Sequence, residues 1–203
     1  MKTIHIVDYG TGNTGSLLAI IEALGWYADI SHQADQIESS DVVILPGVGN
    51  AGIALNRLRH YGVDEALQKR FALGRPVVGI CLGAQLMGGF LHEANARGFG
   101  WLNGDVTPII QYPYYNNGWC RLDYDALQQA GLSRALTSAN TFFFNHRYAM
   151  GMDPRKMVTV YQRPEIPAIY LDDVVCAIQF HPEKSQDSGR ILLRNVIEDH
   201  YGL

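Results

Sequence analysis

The sequence predicts a doubly wound α/β fold, in which a mostly parallel sheet carries helices on both faces and continues into an antiparallel extension. Three observations support it. Short β-branched runs alternate with helical patterns in the first half of the chain, antiparallel-looking runs follow in the second half, and no Pro-, Gly- or Ser-rich linker separates the halves. At 203 residues the chain is long enough for a three-layer core. We therefore expect residues 1–203 to form a single domain.

The first half contributes the alternating elements. The predicted strands are TIHIV (3–7), ADIS (28–31), DVVILPG (41–47) and PVVGIC (76–81). Helical patterns lie at 15–25, around 50–60 and 63–73, and near 83–91. Strands joined through helices pair in parallel, which gives the predicted sheet its direction.

The second half is predicted to contain more closely paired strands. The runs WCRLDY, TFFFNHRYAM, VTVYQ and IPAIYLDDVVCAIQF are rich in β-branched and aromatic residues, and Asp172 and Asp173 form a turn within the last of them. These strands are expected to extend the same sheet. The spacing of apolar residues predicts a final helix over roughly 186–200.

Composition excludes several classes of function. Hydrophobic residues make up 47% of the chain, charged residues 18%, and the formal charge is −4, so nucleic acid is not an expected partner. No apolar run is long enough to span a bilayer and the start lacks a signal peptide, so we expect a cytoplasmic protein with no membrane partner. Cys81, Cys120 and Cys176 form no C-x-x-C, which argues against disulfides and zinc, and the last two are interpreted as structural.

A glycine motif near the start suggests an alternative function. Gly10, Gly12 and Gly15 have the spacing G-x-G-x-x-G between a predicted strand and a predicted helix, and Asp29 follows at the distance of a ribose-binding acid. Asp29 lies early in a short predicted strand, however, which is a poor position for contacting a ribose. An NAD-binding oxidoreductase is therefore the less favoured alternative.

The candidate catalytic centre begins at Cys81. A buried strand ends there, and Gly79 and Gly83 flank the cysteine in G-x-C-x-G, the thiol counterpart of the G-x-S-x-G nucleophile elbow. On such a strand-to-helix turn the side chain is exposed at the sheet edge, and the helix N-terminus favours the thiolate. The Leu82 amide is a candidate oxyanion donor. A buried core cysteine is the structural alternative.

Two further strand ends are expected to meet Cys81 at the same edge of the sheet. In QFHPEKS, a strand ends at His181, and the following proline stiffens the turn so that Glu183 can fold back onto the imidazole. A thiolate would thereby gain a base and an acid that orients the base. In the PGVG turn, Gly47 and Gly49 can adopt backbone angles that present amides to an oxyanion. Each segment alone fits an ordinary turn, whereas three together indicate a site.

Longer segments of the sequence match a known family. GICLGAQL, LPGVG and QFHPEKS resemble the triad-type (class I) glutamine amidotransferases, and DYGTGN, NNGW and FFFNHRY narrow the resemblance to the glutaminase subunits of imidazole glycerol phosphate synthases. The resemblance runs from residue 4 to about residue 197. It implies that Cys81 is the nucleophile, His181 its base and Glu183 the acid that orients the base. It also implies glutamine as substrate, hydrolysed to glutamate and ammonia, with no metal or organic cofactor.

The same resemblance implies further site residues and a partner. Residues implied to hold glutamine or its oxyanion are Gly47, Gly49, Leu82, Gln85, Arg147 and Tyr148. A (β/α)8-barrel cyclase subunit is the implied heterodimer partner, which receives the ammonia in histidine biosynthesis and switches the PGVG turn into its active form. Residues implied to face this partner are Asn13, in the DYGTGN turn, Trp119 and Lys184.

Three positions depart from the family pattern. Asn116 stands where the family usually has His, Cys120 where it has Asn, and Arg147 where it has Ser or Thr. None belongs to the triad, so these departures bear on which synthase receives the ammonia. The nearer alternative is a paralogous glutaminase that supplies surface-polysaccharide sugar amidination, which the NTGS segment resembles. A catalytically dead regulatory module is disfavoured because the triad is complete. His146 is interpreted as a semi-buried histidine with satisfied hydrogen bonds.

Overall fold

The structure, a computed structural model, describes residues 3–111, 113–151 and 157–202. The first half contains β1 (Ile4–Val7), α1 (Thr14–Ala23), β2 (Ala28–Ser31), α2 (Ala34–Ser39), β3 (Val42–Leu45), α3 (Ala51–His60), α4 (Val63–Ala72), β4 (Val77–Ile80) and the short α5 (Leu82–Gln85). The second half begins with β5 (Phe90–Leu91), β6 (Ala96–Arg97), β7 (Thr107–Pro108), β8 (Asn116–Arg121), α6 (Tyr124–Gln129), β9 (Thr141–His146) and β10 (Tyr148–Ala149). It ends with β11 (Met157–Val160), β12 (Arg163–Leu171), β13 (Val175–Ile178), a 3-10 turn (Pro182–Lys184) and α7 (Gln186–Arg194), which continues as a π-helical segment (Asn195–His200).

The central sheet has seven strands within the described residues, in the order β11-β12-β13-β4-β3-β1-β2. The strands from β13 to β2 in this order pair in parallel, whereas β12 and β11 add antiparallel pairs at one edge. This topology confirms the predicted mostly parallel sheet with an antiparallel extension. None of the helices in the described ranges is sufficiently long and apolar to cross a bilayer.

Two hydrophobic cores lie on opposite faces of the sheet. Val42 and Ile44 of β3 pack with α1 and α7 on one face, whereas Val43 and Leu45 pack with α3 and α4 on the other. Because successive side chains of a strand point to opposite faces, a strand covered on both sides must be apolar throughout. The uninterrupted apolar runs of the sequence follow from this burial.

One expectation about the second half is wrong. β8 and β9 pair with each other in a separate two-stranded sheet and do not extend the central one. Within the central sheet β13 already has β4 and β12 as neighbours, so β9 reaches that region only beyond the end of β13, through a bridge between Phe143 and His181. The second sheet therefore lies next to the predicted site.

The helix expected near 83–91 is also shorter than predicted. α5 ends at Gln85, and β5 follows at Phe90. At Gly88 a Cβ atom would lie 2.6 Å from Val106 Cγ2, so this segment packs against the neighbouring loop more closely than a side chain allows. The short helices α2 and α6 lie where the sequence pattern predicts no helix.

Gly79 and Gly83, the glycines of the elbow, are required by close packing. A Cβ atom at Gly83 would overlap the Leu45 carbonyl oxygen, and one at Gly79 would lie 2.6 Å from Met87 Cε. The turn between β4 and α5 therefore approaches β3 so closely that only glycine fits at position 83.

We predict that Gly83→Ala lowers the free energy of unfolding by about 3 kcal/mol, the upper range for overpacking, because backbone must move to admit the methyl group. Gly15→Ala is the matched control: position 15 lies in α1 with no atom within 4 Å of its Cβ position, so alanine should be neutral or stabilising by up to about 1 kcal/mol. Urea denaturation of both variants measures this difference. Equal stabilities would contradict the close approach at Gly83.

Candidate active site

Cys81 occupies a sharp turn between β4 and α5. Its backbone has φ +53° and ψ −107°, a conformation that costs a non-glycine residue about 1–3 kcal/mol. The Cys81 N–H donates to the Ile178 carbonyl of β13 at 2.7 Å, and the Cys81 carbonyl accepts from the Gln85 N–H at 3.1 Å. Hydrogen bonds on both sides thus hold the thiol at the carboxyl edge of the parallel sheet.

His181 and Glu183 form a buried pair just after β13. The His181 N–H donates to the Phe143 carbonyl at 2.8 Å, and the 3-10 turn that begins at Pro182 brings Glu183 Oε1 to 2.8 Å from His181 Nδ1. Both side chains are nearly inaccessible, at 3% and 2% exposure. Because a carboxylate only accepts, Nδ1 carries a proton, and the Nε2 atom remains for Cys81.

The electrostatics of this pair favour a charged imidazole. Burial lowers the pKa of His181, but its hydrogen bonds to Cys81 and Glu183 and its electrostatic interactions with those two groups raise it to about 9. A thiolate beside an imidazolium is the reactive form of cysteine nucleophiles. The raised pKa of His181 favours the imidazolium half of such a pair.

A cavity of about 350 Å³ adjoins Cys81 and His181. Of the residues implied to hold glutamine, those that line this cavity are Gly49, Leu82, Gln85, Arg147 and Tyr148. The three strand ends singled out in the sequence are thus brought together around one space. In the described part of the chain, no group of three His, Cys, Asp or Glu side chains is placed to hold a metal ion.

The Leu82 amide already has a hydrogen-bond acceptor. It donates to the Gly47 carbonyl at 3.3 Å, and Gly47 does not line the cavity. Gly47 is closely packed, since a Cβ atom there would lie 2.7 Å from Tyr9 Oη. Gly49 has φ +94° and no atom within 4 Å of its Cβ position. An oxyanion at the Leu82 amide therefore requires the Gly47 carbonyl to turn away from that amide.

Some polar residues of the cavity wall were given no role in ligand or partner binding from the sequence. Glu93, Asn145 and His146 line the cavity. Glu93 follows β5 without any motif, and only the packing of the β5–β6 hairpin against α3 brings its Oε2 within 2.8 Å of the Ala51 N–H. His146 is buried with Nδ1 2.8 Å from the Tyr148 carbonyl, and burial lowers its pKa to about 4. The interpretation of a satisfied histidine holds, but the residue also belongs to the cavity wall.

Of the residues implied to face a partner, Lys184 lines the cavity and Trp119 lies close to Lys184 through the Phe143 ring. Trp119 on β8 is 48% exposed and contacts the Phe143 ring edge-to-face, with centroids 5.8 Å apart. Lys184 is exposed, with Nζ 5.9 Å from the centre of the same ring. Asn13 directly precedes α1 and accepts a hydrogen bond from the Ser16 hydroxyl at 3.0 Å.

The glycine motif near the start serves close packing. The Arg57 guanidinium donates to the Gly10 carbonyl, and a Cβ atom at Gly12 would lie 3.0 Å from Pro46 Cγ. The DYGTGN turn thus packs against α3 and the PGVG turn. Asp29 accepts a hydrogen bond from the Tyr27 hydroxyl at 2.7 Å on the surface. These contacts account for Gly10 and Gly12 without a dinucleotide.

An elbow cysteine, a histidine paired with a buried carboxylate and an adjoining cavity form the arrangement of cysteine-nucleophile enzymes. The family model described as glutamine amidotransferase class-I matches residues 5–198. This chain therefore belongs to the class I glutamine amidotransferase family.

Curated relatives and solved structures agree with this family. The chain is 35% identical over 203 residues to a Lactococcus lactis protein named imidazole glycerol phosphate synthase subunit HisH, covering 98% of this chain and 100% of that protein. It is 34% identical to a Gloeobacter violaceus protein of the same name, covering 96% of this chain and 88% of that protein. A solved structure titled as a glutamine amidotransferase shares the fold, with a TM-score of 0.74, 17% identity and coverage of 98% and 99% of the two chains.

We predict that protonation of His181 stabilises the folded state. Because the folded pKa is raised to about 9 from an unfolded value near 6.5, this contribution is complete below about pH 6.5 and is lost as the pH rises through 9. Glu183→Gln removes the carboxylate, one cause of the raised pKa of His181, so the free energy of unfolding should decrease less between pH 6.5 and pH 9. Urea unfolding of both proteins at pH 6, 7.5 and 9 tests this. If the free energy of unfolding has the same pH dependence in both proteins, Glu183 does not raise the pKa of His181.

Proposed function

We propose that this chain is the glutaminase subunit of an imidazole glycerol phosphate synthase, which hydrolyses glutamine and passes the ammonia to a (β/α)8-barrel cyclase subunit in histidine biosynthesis. The observation that carries the proposal is the buried pair of His181 and Glu183 beside the elbow thiol of Cys81, opening on one cavity. Near full-length similarity to proteins named as subunits of that synthase supports the pathway. A free catalytic thiol suits the reducing cytoplasm, where we place the protein.

The reaction has two halves that use the same three side chains. The Cys81 thiolate attacks the carboxamide carbon of glutamine, and the His181 imidazolium donates its proton to the nitrogen as the C–N bond breaks. Ammonia leaves and a glutamyl thioester remains. Neutral His181 then takes a proton from water, which attacks the thioester and releases glutamate and the thiolate. Glu183 holds the imidazole in orientation and stabilises its positive charge.

Oxyanion stabilisation provides the point of control in this proposal. The Leu82 amide would donate to the oxyanion, but it donates to the Gly47 carbonyl in the free chain. Loss of one oxyanion donor costs about 100- to 1,000-fold in rate. A partner that turns the PGVG segment would therefore switch the glutaminase on.

Two oppositely charged side chains at the cavity match the two ends of an amino acid. Glu93 and Arg147 both line it, and both also line a second cavity of about 340 Å³ beside it. We propose that Glu93 binds the α-ammonium group of glutamine and that Arg147 lies near its carboxylate. Partner binding is assigned to the exposed surface formed by Trp119, Phe143 and Lys184 at the rim.

A paralogous glutaminase for sugar amidination would use the same chemistry and differ only in the synthase that receives ammonia. Arg147 lines the cavity, and Cys120 donates to Asn116 Oδ1 at 3.5 Å, so the three departures from the family pattern lie at or behind the site. The names of the relatives favour the histidine pathway over this alternative.

We predict that Cys81→Ala lowers glutamine-dependent synthesis by at least about 1,000-fold, because no other group can form the thioester. Synthesis from added ammonia by the complex should be unchanged. Cys120→Ser, which retains a hydrogen-bond donor outside the triad, is the matched control and should retain glutamine-dependent activity. Assays of the complex with glutamine and with ammonia measure the two activities. Loss of both in Cys81→Ala would contradict a role for Cys81 in glutamine hydrolysis alone.

We also predict that Glu93→Gln raises the KM for glutamine by about 10- to 100-fold, because a charge-assisted hydrogen bond to the α-ammonium group is lost. The kcat value should change much less. The side-chain oxygen of the glutamine introduced at position 93 can still accept from the Ala51 N–H, so the start of α3 should be preserved. Steady-state glutaminase kinetics measure the change. A large fall in kcat at constant KM would contradict a role in substrate binding.

A further inference from the structure

Behind the cavity lies a chain of polar side chains that the mechanism above does not use. Asn116 and His146 are buried, with 4% and 6% exposure. Arg163 Nη1 lies 3.4 Å from Asn116 Oδ1, and Asn116 Nδ2 lies 3.3 Å from His146 Nε2. The other ring nitrogen of His146 lies 2.8 Å from the Tyr148 carbonyl. The chain thus runs from a guanidinium to a carbonyl in the cavity wall.

The two ends of this chain fix the direction of every hydrogen bond within it. Arg163 only donates, so the Asn116 oxygen must face it, and the thiol of Cys120 is a second donor to that oxygen at 3.5 Å. The Asn116 amide nitrogen then donates to Nε2 of His146, which must be unprotonated. The ring proton of His146 is therefore on Nδ1, from which it donates to the Tyr148 carbonyl.

The Tyr148 carbonyl extends this order to the substrate-binding wall. It also accepts from Gln85 Nε2 at 2.8 Å, and the same nitrogen donates to Gln179 Oε1 at 3.3 Å. Both N–H groups of the Gln85 amide are thereby engaged. Its oxygen is left as the acceptor that this side chain can offer to a ligand in the cavity.

We propose that His146 is a positioning residue for glutamine binding: in the tautomer selected by Asn116 and Arg163, it holds the Tyr148 carbonyl so that Gln85 presents its amide oxygen to an N–H group of the substrate. This inference rests on the proposed glutaminase function. Asn116 and Cys120, two of the three departures from the family pattern, both belong to this series of hydrogen bonds. Burial, which lowers the pKa of His146 to about 4, maintains the neutral ring that the chain requires.

Two variants at this position test the proposal. In His146→Asn, an amide N–H can replace the ring N–H near Tyr148, whereas His146→Phe fills the space without a donor. We expect His146→Phe to weaken saturable labelling of Cys81 by a glutamine-mimicking electrophile about 10-fold, which corresponds to the loss of one hydrogen bond. His146→Asn should retain most of the labelling. Labelling by iodoacetamide, which needs only a reactive thiolate, should change less than about 2-fold in either variant.

Three outcomes would overturn the positioning role. The first is unchanged labelling of Cys81 by the electrophile in His146→Phe. The second is an equal decrease in labelling by the electrophile and by iodoacetamide in that variant. The third is an equal decrease in labelling by the electrophile in His146→Phe and His146→Asn. If the unmodified protein itself reacts no faster with the electrophile than with iodoacetamide, the proposed glutaminase function fails instead.

A measurement on the unmodified protein does not depend on the variants folding. Nitrogen-15 chemical shifts of the His146 ring at pH 7 should show a protonated Nδ1 and an unprotonated Nε2. A proton on Nε2 would contradict the donor and acceptor roles assigned to the hydrogen bonds from Arg163 to the Tyr148 carbonyl.

Discussion

Cys81 has a backbone conformation that a side-chain-bearing residue adopts only at a cost, and the site depends on the contacts that enforce it. Gly83 lies against the Leu45 carbonyl with no room for a side chain, and the Cys81 N–H is bonded to Ile178. These contacts come from β3 and β13, the two neighbours of β4 in the sheet. The elbow therefore forms only when the centre of the sheet is complete, so folding of the sheet is coupled to the geometry of the proposed nucleophile.

The small β8–β9 sheet connects the pair of His181 and Glu183 to the outer surface. The Phe143 carbonyl accepts from the His181 N–H, and the ring of the same residue lies between Trp119 and Lys184. A hydroxyl at Ser185 links the two segments further, because it accepts from the Phe143 N–H at 2.9 Å and donates to the His181 carbonyl at 2.6 Å. A partner seated on this rim would thus contact an element that is bonded directly to the proposed base.

The sequence was sufficient to locate the strand ends that meet at the site, because an apolar run followed by Cys81, by His181 or by the PGVG turn is a local pattern. It was insufficient for Glu93, whose place depends on how the β5–β6 hairpin packs against α3. It was also insufficient for the tautomer of His146, which depends on Asn116 thirty positions away in the chain. The glycine motif was ambiguous for the same reason, since the contacts that explain it come from distant parts of the chain. Local patterns predict elements and turns, whereas pairing between distant segments decides which side chains share a cavity.

The most direct test of the account is glutamate release from glutamine by the purified chain, alone and with the barrel cyclase subunit from the same genome, in the presence and absence of the ribotide substrate of that cyclase. With the Leu82 amide bonded to the Gly47 carbonyl in the free chain, the account predicts slow release alone and a rise of at least about 100-fold with both cyclase and ribotide. Release by the chain alone at the rate of the complex would contradict control through the PGVG turn. An absence of release under every condition would contradict the glutaminase itself.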